Sequence, residues 1–135
     1  MRVVLDANVV FVGAGWRGEA HACLLLMARR RITGFATPQI LEELRDLVAE
    51  RGYKSKHSPD SVLSLYYGAV KLVEPSPLGK QRSRDPKDDP YRACALASRA
   101  KVIVTRDDDL LRMKKPFGIE IITPRELLTR VARQD

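Results

Sequence analysis

Four acids are placed where they could do chemistry: Asp6, Glu43, Asp89 and Asp107. Asp6 follows the apolar run Val3-Val4-Leu5, with Asn8 two residues on, and Asp107 closes Val102-Ile103-Val104-Thr105-Arg106 in the same way. Ligands of open α/β sheets sit beyond the carboxyl ends of strands, which is where both acids fall. Each also suits a plainer role, because an Asp-x-Asn pattern caps turns and helices and Asp107-Asp108-Asp109 makes an acidic helix start. The other two acids are selected by helical phase. From Pro38 to Arg51, Ile40, Leu41, Leu44, Leu47 and Val48 form one stripe at helical spacing. Glu43 borders that stripe, whereas Glu42 lies opposite it. From Asp89 to Ala100 the inward stripe reads Ala93, Leu96, Ala97 and Ala100, with Asp89 on its face and Asp88 pointing away.

Carboxylates gathered this closely raise one another's pKa, so they need a counter-charge. Hard divalent cations with oxygen ligands supply it, Mg²⁺ or Mn²⁺ being the natural candidates. The sequence holds no rival ligand set: His21 and His57 lack partners at ligand spacing, and Cys23 and Cys94 each sit in an apolar helical pattern as free thiols. A metal on carboxylates generates a hydroxide nucleophile and stabilises charge developing on a phosphodiester.

The elements that must position these acids alternate short β-branched runs with helix-period segments, the pattern of an α/β domain around a mainly parallel sheet. Strands are expected over Arg2–Leu5, Ile32–Ala36, Lys71–Glu74, Val102–Thr105 and Glu120–Ile122. Thr37-Pro38, Ser58-Pro59 and Thr123-Pro124 each set a capping hydroxyl before a proline at the first helical position. Thr123 and Glu126 make a capping box. Pro75 to Pro90 is irregular and basic, and reads as a long loop. With 135 residues and no repeat or linker, one domain spanning 1–135 is expected. A strand directly after Met1 leaves no room for a signal peptide, and the longest apolar run, Ala22 to Ala28, is too short for a membrane. A cytoplasmic protein without a membrane partner is expected. A net charge of +7 favours polyanions as partners, and makes a local gathering of acids conspicuous.

Gly13-Ala14-Gly15-Trp16-Arg17-Gly18 has the form of a dinucleotide-binding G-x-G-x-x-G. Asp6 and Asn8 would then lie inside the preceding strand, and the acid expected after the second strand is replaced by Ala36-Thr37-Pro38. Bulky Trp16-Arg17 also stands where the pyrophosphate turn is tight. No nucleotide cofactor is expected.

In order and spacing, four segments resemble the PIN-domain family: Val3 to Asn8, Thr37 to Leu44, Arg84 to Pro90, and Val104 to Leu111. The likeness extends to Ile121-Ile122-Thr123-Pro124-Arg125-Glu126-Leu127 and is closest to the VapC-like toxin components of toxin–antitoxin pairs. The resemblance implies a three-layer fold, with a five-stranded parallel sheet in the order 3-2-1-4-5 and helices on both faces. It implies an endoribonuclease dependent on Mg²⁺ or Mn²⁺ that cuts single-stranded RNA, leaves a 5′-phosphate, forms a homodimer and is held by a cognate antitoxin. By motif position the catalytic acids are Asp6, Glu43, Asp89 and Asp107. The metal ligands are Asp6, Asp89, Asp107 and Asp109, with Asn8 and Thr105 steadying them. Arg82, Arg84, Lys87, Arg92 and Arg106 flank the acids as expected phosphate contacts. The sequence departs from the family at Ala7, where a Thr or Ser is usual. The lost hydroxyl implies weaker metal binding or slower turnover. It supports a second reading, a weakly active or inactive PIN-like RNA-binding or scaffold protein.

Overall fold

The computed structural model describes residues 1–54, 58–78, 89–113 and 118–134. Its elements run β1 (Arg2–Leu5), α1 (Ala7–Gly15), α2 (Glu19–Ala28), β2 (Thr33–Ala36), α3 (Pro38–Arg51) and α4 (Asp60–Ala69). They continue with β3 (Lys71–Leu72), α5 (Asp89–Ser98), β4 (Val102–Val104), α6 (Asp108–Leu111), β5 (Glu120–Ile122) and α7 (Pro124–Arg133). The strands form one sheet in the order β3-β2-β1-β4-β5, every pair parallel, as expected from the resemblance.

Alternation along the strands divides the core in two. Val3, Leu5, Val102, Val104 and Ile122 face one layer, where they meet side chains of α1, α2, α4 and α7. Val4, Phe35, Ile103 and Ile121 face the other, against Tyr91, Cys94 and Ala95 of α5 and Leu110 of α6. β1 and β4 are central and buried on both faces, hence their uninterrupted apolar runs. Cys23 and Cys94 are both free and lie in opposite layers. Burial pushes each thiol up to about 12, and the nearby Glu19 adds to the effect at Cys23.

The caps at Thr37 and Thr123 form as expected, the latter with its full capping box. The Ser58 cap shifts by one residue. Helix α4 begins at Asp60, with Pro59 at its N-cap, and the Ser58 hydroxyl accepts a 3.4 Å bond from the Asp60 N–H. Two expectations need correction. β3 is two residues long rather than reaching Glu74. The α5 stripe is only partly as expected: Tyr91, Arg92, Ala93, Cys94, Ala95 and Ser98 are buried on the helix and Ala100 just after it, while Leu96 and Ala97 are only half-buried. Small residues surround this helix on nearly every side, so its periodicity is faint and alanines alone do not fix its phase. Among the described residues no helix is long and apolar enough to cross a membrane.

The G-x-G-x-x-G string does not form a strand–turn–helix. Gly13 and Gly15 lie within α1, and Gly18 is the N-cap of α2. A Cβ at Gly13 would stand 2.8 Å from the Ala20 carbonyl oxygen, and one at Gly15 would stand 2.4 Å from the Tyr53 ring. These glycines therefore serve helix packing.

Candidate active site

Register builds the site from the backbone outward. β1 and β4 pair Leu5 with Val104, so Asp6 and Thr105 leave the sheet side by side at its carboxyl edge. The Asp6 N–H continues the ladder to the Val104 carbonyl at 2.9 Å. Both Asp6 and Thr105 are buried. The Thr105 hydroxyl donates to Asp6 Oδ2 at 2.7 Å and accepts from the Asp107 N–H at 3.0 Å. One hydroxyl thus ties the acid after β1 to the acid after β4.

Each acid also caps the helix that follows. Asp6 Oδ1 accepts from the Asn8 N–H at 3.1 Å at the start of α1, and Asp107 Oδ1 accepts from the Asp109 N–H at 2.9 Å at the start of α6. The plainer role and the chemical one therefore coexist in the same side chains. Capping fixes the rotamer and occupies one oxygen from one direction, while a carboxylate oxygen has a second lone pair to offer.

Glu43 reaches the same crevice from the first turns of α3. Its Oε2 accepts a 2.6 Å bond from the hydroxyl of Tyr91, which is buried on α5. The Tyr91 hydroxyl also accepts, at 3.3 Å, from the Ala7 N–H. Partial desolvation is the main cause raising the Glu43 carboxyl above its ordinary range, and the charges of Asp6 and Asp46 add to it against the lowering effect of the Tyr91 bond. Burial, followed by the Asp6 charge and the bond to Glu43, raises the Tyr91 phenol far above its usual value. Tyr91 accordingly remains a proton donor at any working pH.

Asp6, Asn8, Glu43, Tyr91, Arg106 and Asp107 line one crevice of about 460 Å³, with Arg51 at the end of α3 beside them. Among the described residues no three acid, histidine or cysteine side chains stand close enough to enclose an ion by themselves. Carboxylates on three elements, all hard oxygen donors, fit a cation that keeps several waters and takes one or two protein ligands.

The other expected site residues lie elsewhere. Asp89, at the first position of α5, lines a cleft with Gln39, Ser76, Leu78 and Ala93. Asp109 points to solvent and pairs with Arg112 at 3.4 Å. Arg92, expected at a phosphate, is instead buried at 1% exposure with its guanidinium 3.3 Å from Met113 Sδ. Asp88, Arg82, Arg84 and Lys87 lie outside the described residues. Tyr91 and Arg51 were not read from the sequence. A tyrosine in an alanine-rich helix was the available signal for the first, since a buried phenol needs a partner for its hydroxyl.

The family model described as PIN domain matches residues 2–109. The chain belongs to the PIN-domain family. PIN domains are generally nucleases and generally use divalent metal ions. Two solved structures share the fold. One is VapBC2 from Rickettsia felis bound to a DNA fragment from their promoter, at 18% identity and a TM-score of 0.61 over 91% of this chain and 98% of that one. The other is PAE2754 from Pyrobaculum aerophilum, at 22% identity and a TM-score of 0.66 over 99% of this chain and 91% of that one. No curated protein is near enough in sequence to match.

Proposed function

We propose that this PIN domain is a cytoplasmic endoribonuclease that cuts single-stranded RNA with Mg²⁺ or Mn²⁺, and that it is the toxin of a toxin–antitoxin pair. The observation that carries the reading is the Asp6–Thr105–Asp107 bridge, with Glu43 facing the same crevice. Structural kinship with a VapBC2 complex supports an antitoxin as the protein partner.

Asp6 and Asp107 would hold the cation, with Asn8 and Glu43 beside it; Asp89 and Asp109 join the ligand set by family motif position alone. A cation bound there supplies charge against the phosphodiester and makes a water acidic enough to attack at neutral pH. Thr105 ties the Asp6 carboxylate to the backbone N–H of Asp107. Glu43, held by Tyr91 through Oε2, takes the proton of the attacking water at Oε1. Arg106 and Arg51, both exposed at the crevice, hold the non-bridging phosphate oxygens. Water adds to phosphorus, the bond to the 3′-oxygen breaks, that oxygen takes up a proton from solvent to become a 3′-hydroxyl, and the downstream fragment keeps a 5′-phosphate. A homodimer would use exposed Leu65 and Tyr67 of α4, whereas Tyr66 belongs to the core.

Ala7 favours the second reading, a PIN-like RNA-binding or scaffold protein with little activity. The structure places the Tyr91 hydroxyl on the Ala7 N–H, so the first turn of α1 does not lack a hydroxyl neighbour. The deciding experiment incubates the protein with end-labelled single-stranded RNA and Mn²⁺. Wild type is expected to cleave and Asp6→Asn to lose at least about 100-fold, the scale of removing one charge-stabilising group. Equal, negligible cleavage by both would leave the binding-protein reading.

A further inference from the structure

The loop between α1 and α2, which carries the Trp-Arg-Gly end of the glycine string, opens onto a second hollow beside the acids. This hollow measures about 680 Å³, within the range of roughly 300–1,000 Å³ typical of ligand pockets. Trp16, Arg17, Glu19, Arg106, Asp108 and Arg125 supply its polar and aromatic lining. Arg106 lines both this hollow and the acid crevice, so the two are neighbours across one side chain.

Trp16 is held as a platform. Its ring lies 5.9 Å from Tyr53 and 6.1 Å from Phe11, and those two rings stack at 4.6 Å. Gly15 makes this possible, because any side chain there would occupy the Tyr53 ring. Trp16 nevertheless remains 43% exposed. Only Trp16, Arg17 and Gly18 join the two helices, and the Trp16 N–H is bonded to the Val12 carbonyl at 3.0 Å. A large aromatic surface is thus fixed in place and left partly open.

The cations around it differ in commitment. Arg125 is paired with Glu19 at 2.7 Å. Arg17 and Arg106 are exposed and, among the described residues, have no hydrogen bond or ion pair. An aromatic face with uncommitted guanidinium groups beside it is the combination that binds single-stranded nucleic acid, by stacking bases and tracking phosphates. An acidic protein segment would use the arginines but meets Trp16 only where it happens to carry an aromatic side chain, whereas every nucleotide carries a base to stack.

We propose that this hollow is a nucleotide subsite for the substrate RNA: a base flanking the cleaved bond stacks on Trp16, while Arg17 and Arg106 hold the adjoining phosphates. The proposal rests on the single-stranded ribonuclease reading and adds where the strand leaves the acids.

Trp16 is the only tryptophan, so its emission reports this one place. Full-length protein in EDTA, which withholds the metal that cutting needs, would be titrated with a short oligoadenylate and with an oligoglutamate of matched charge. Saturable quenching by the oligoadenylate is expected, with little by oligoglutamate. Trp16→Leu should weaken RNA binding about tenfold, the size of one lost stacking contact, as read by anisotropy of labelled RNA. Since that change removes packing on Tyr53, Arg17→Ala serves as the second variant. It should flatten the logarithmic salt dependence by about 0.7, one phosphate contact on a single strand. Oligoadenylate that binds without altering Trp16 emission overturns the subsite. Equal quenching by oligoglutamate overturns it in favour of an acidic protein ligand, and absence of RNA binding overturns it outright. Cleavage by wild type with Mn²⁺ is scored separately, so the nuclease reading can stand while the subsite falls.

Discussion

Glu43 is the side chain whose position costs the fold something. It stands partly desolvated near Asp6, and its carboxyl is raised above the ordinary range by burial first and by the Asp6 and Asp46 charges after it. A raised folded pKa means that the native state holds this proton more tightly than the unfolded chain does. Stability therefore falls as pH rises from the ordinary carboxylate range through the raised value, and the penalty is complete above it. Replacing Glu43 with Gln keeps the shape and an acceptor for the Tyr91 hydroxyl while removing the charge. Glu43→Gln should raise the melting temperature by a few degrees at pH 7 in EDTA, and the gain should shrink toward pH 4, where wild type is protonated in both states. Cleavage should be lost at the same time. Glu42→Gln, exposed like Glu43 but not among the residues that line the crevice, should change neither property. Calorimetry across pH with a parallel cleavage assay decides it, and equal behaviour of the two variants would refute the distinction drawn from helical phase.

Helices explain both what could be read in advance and what could not. α1 and α2 cross at Gly13, where an added Cβ would stand 2.8 Å from both the Ala20 carbonyl oxygen and Leu24 Cδ1. Backbone blocks one side, so Gly13→Ala should destabilise by about 1–3 kcal/mol through overpacking, despite the better helix propensity of alanine. Denaturant unfolding measures this, and an unchanged midpoint would show that the helices can separate freely. The parallel sheet was legible because its strands are short β-branched runs with clear ends. The phase of α3 was legible because leucines and isoleucines oppose charges around it. α1 was not recognised as a helix: Val9, Val10 and Phe11 are all buried, and a helix covered on most sides loses its period. α5 misled for a related reason: Leu96 and Ala97 of its expected stripe are half-buried, while Tyr91, Cys94 and Ala95 join the core. Tyr91, whose hydroxyl donates to Glu43, was the residue the alanine stripe concealed.

At the scale of the whole molecule, charge makes the metal question answerable without an activity assay. The chain carries +7, so a cation is not drawn to it in general. Attraction must come from the crevice that Asp6, Glu43 and Asp107 line. An ion that binds the folded crevice and not the unfolded chain stabilises by RT ln(1 + [L]/Kd), about 1.4 kcal/mol at ten times Kd. It should also offset the Asp6 charge, which adds to the burial that raises Glu43, so the two effects reinforce one another. Millimolar Mn²⁺ should therefore raise the melting temperature of wild type by about 3 to 6 °C, while KCl at matched ionic strength should not. Asp6→Asn and Asp107→Asn should each lose most of the shift. Asp109→Asn should retain it, because that carboxylate faces solvent and pairs with Arg112. A shift of equal size in all four proteins would locate the ion away from the crevice. A loss in Asp109→Asn alone would move the metal site onto α6 and remove the bridge by Thr105 as its organising contact.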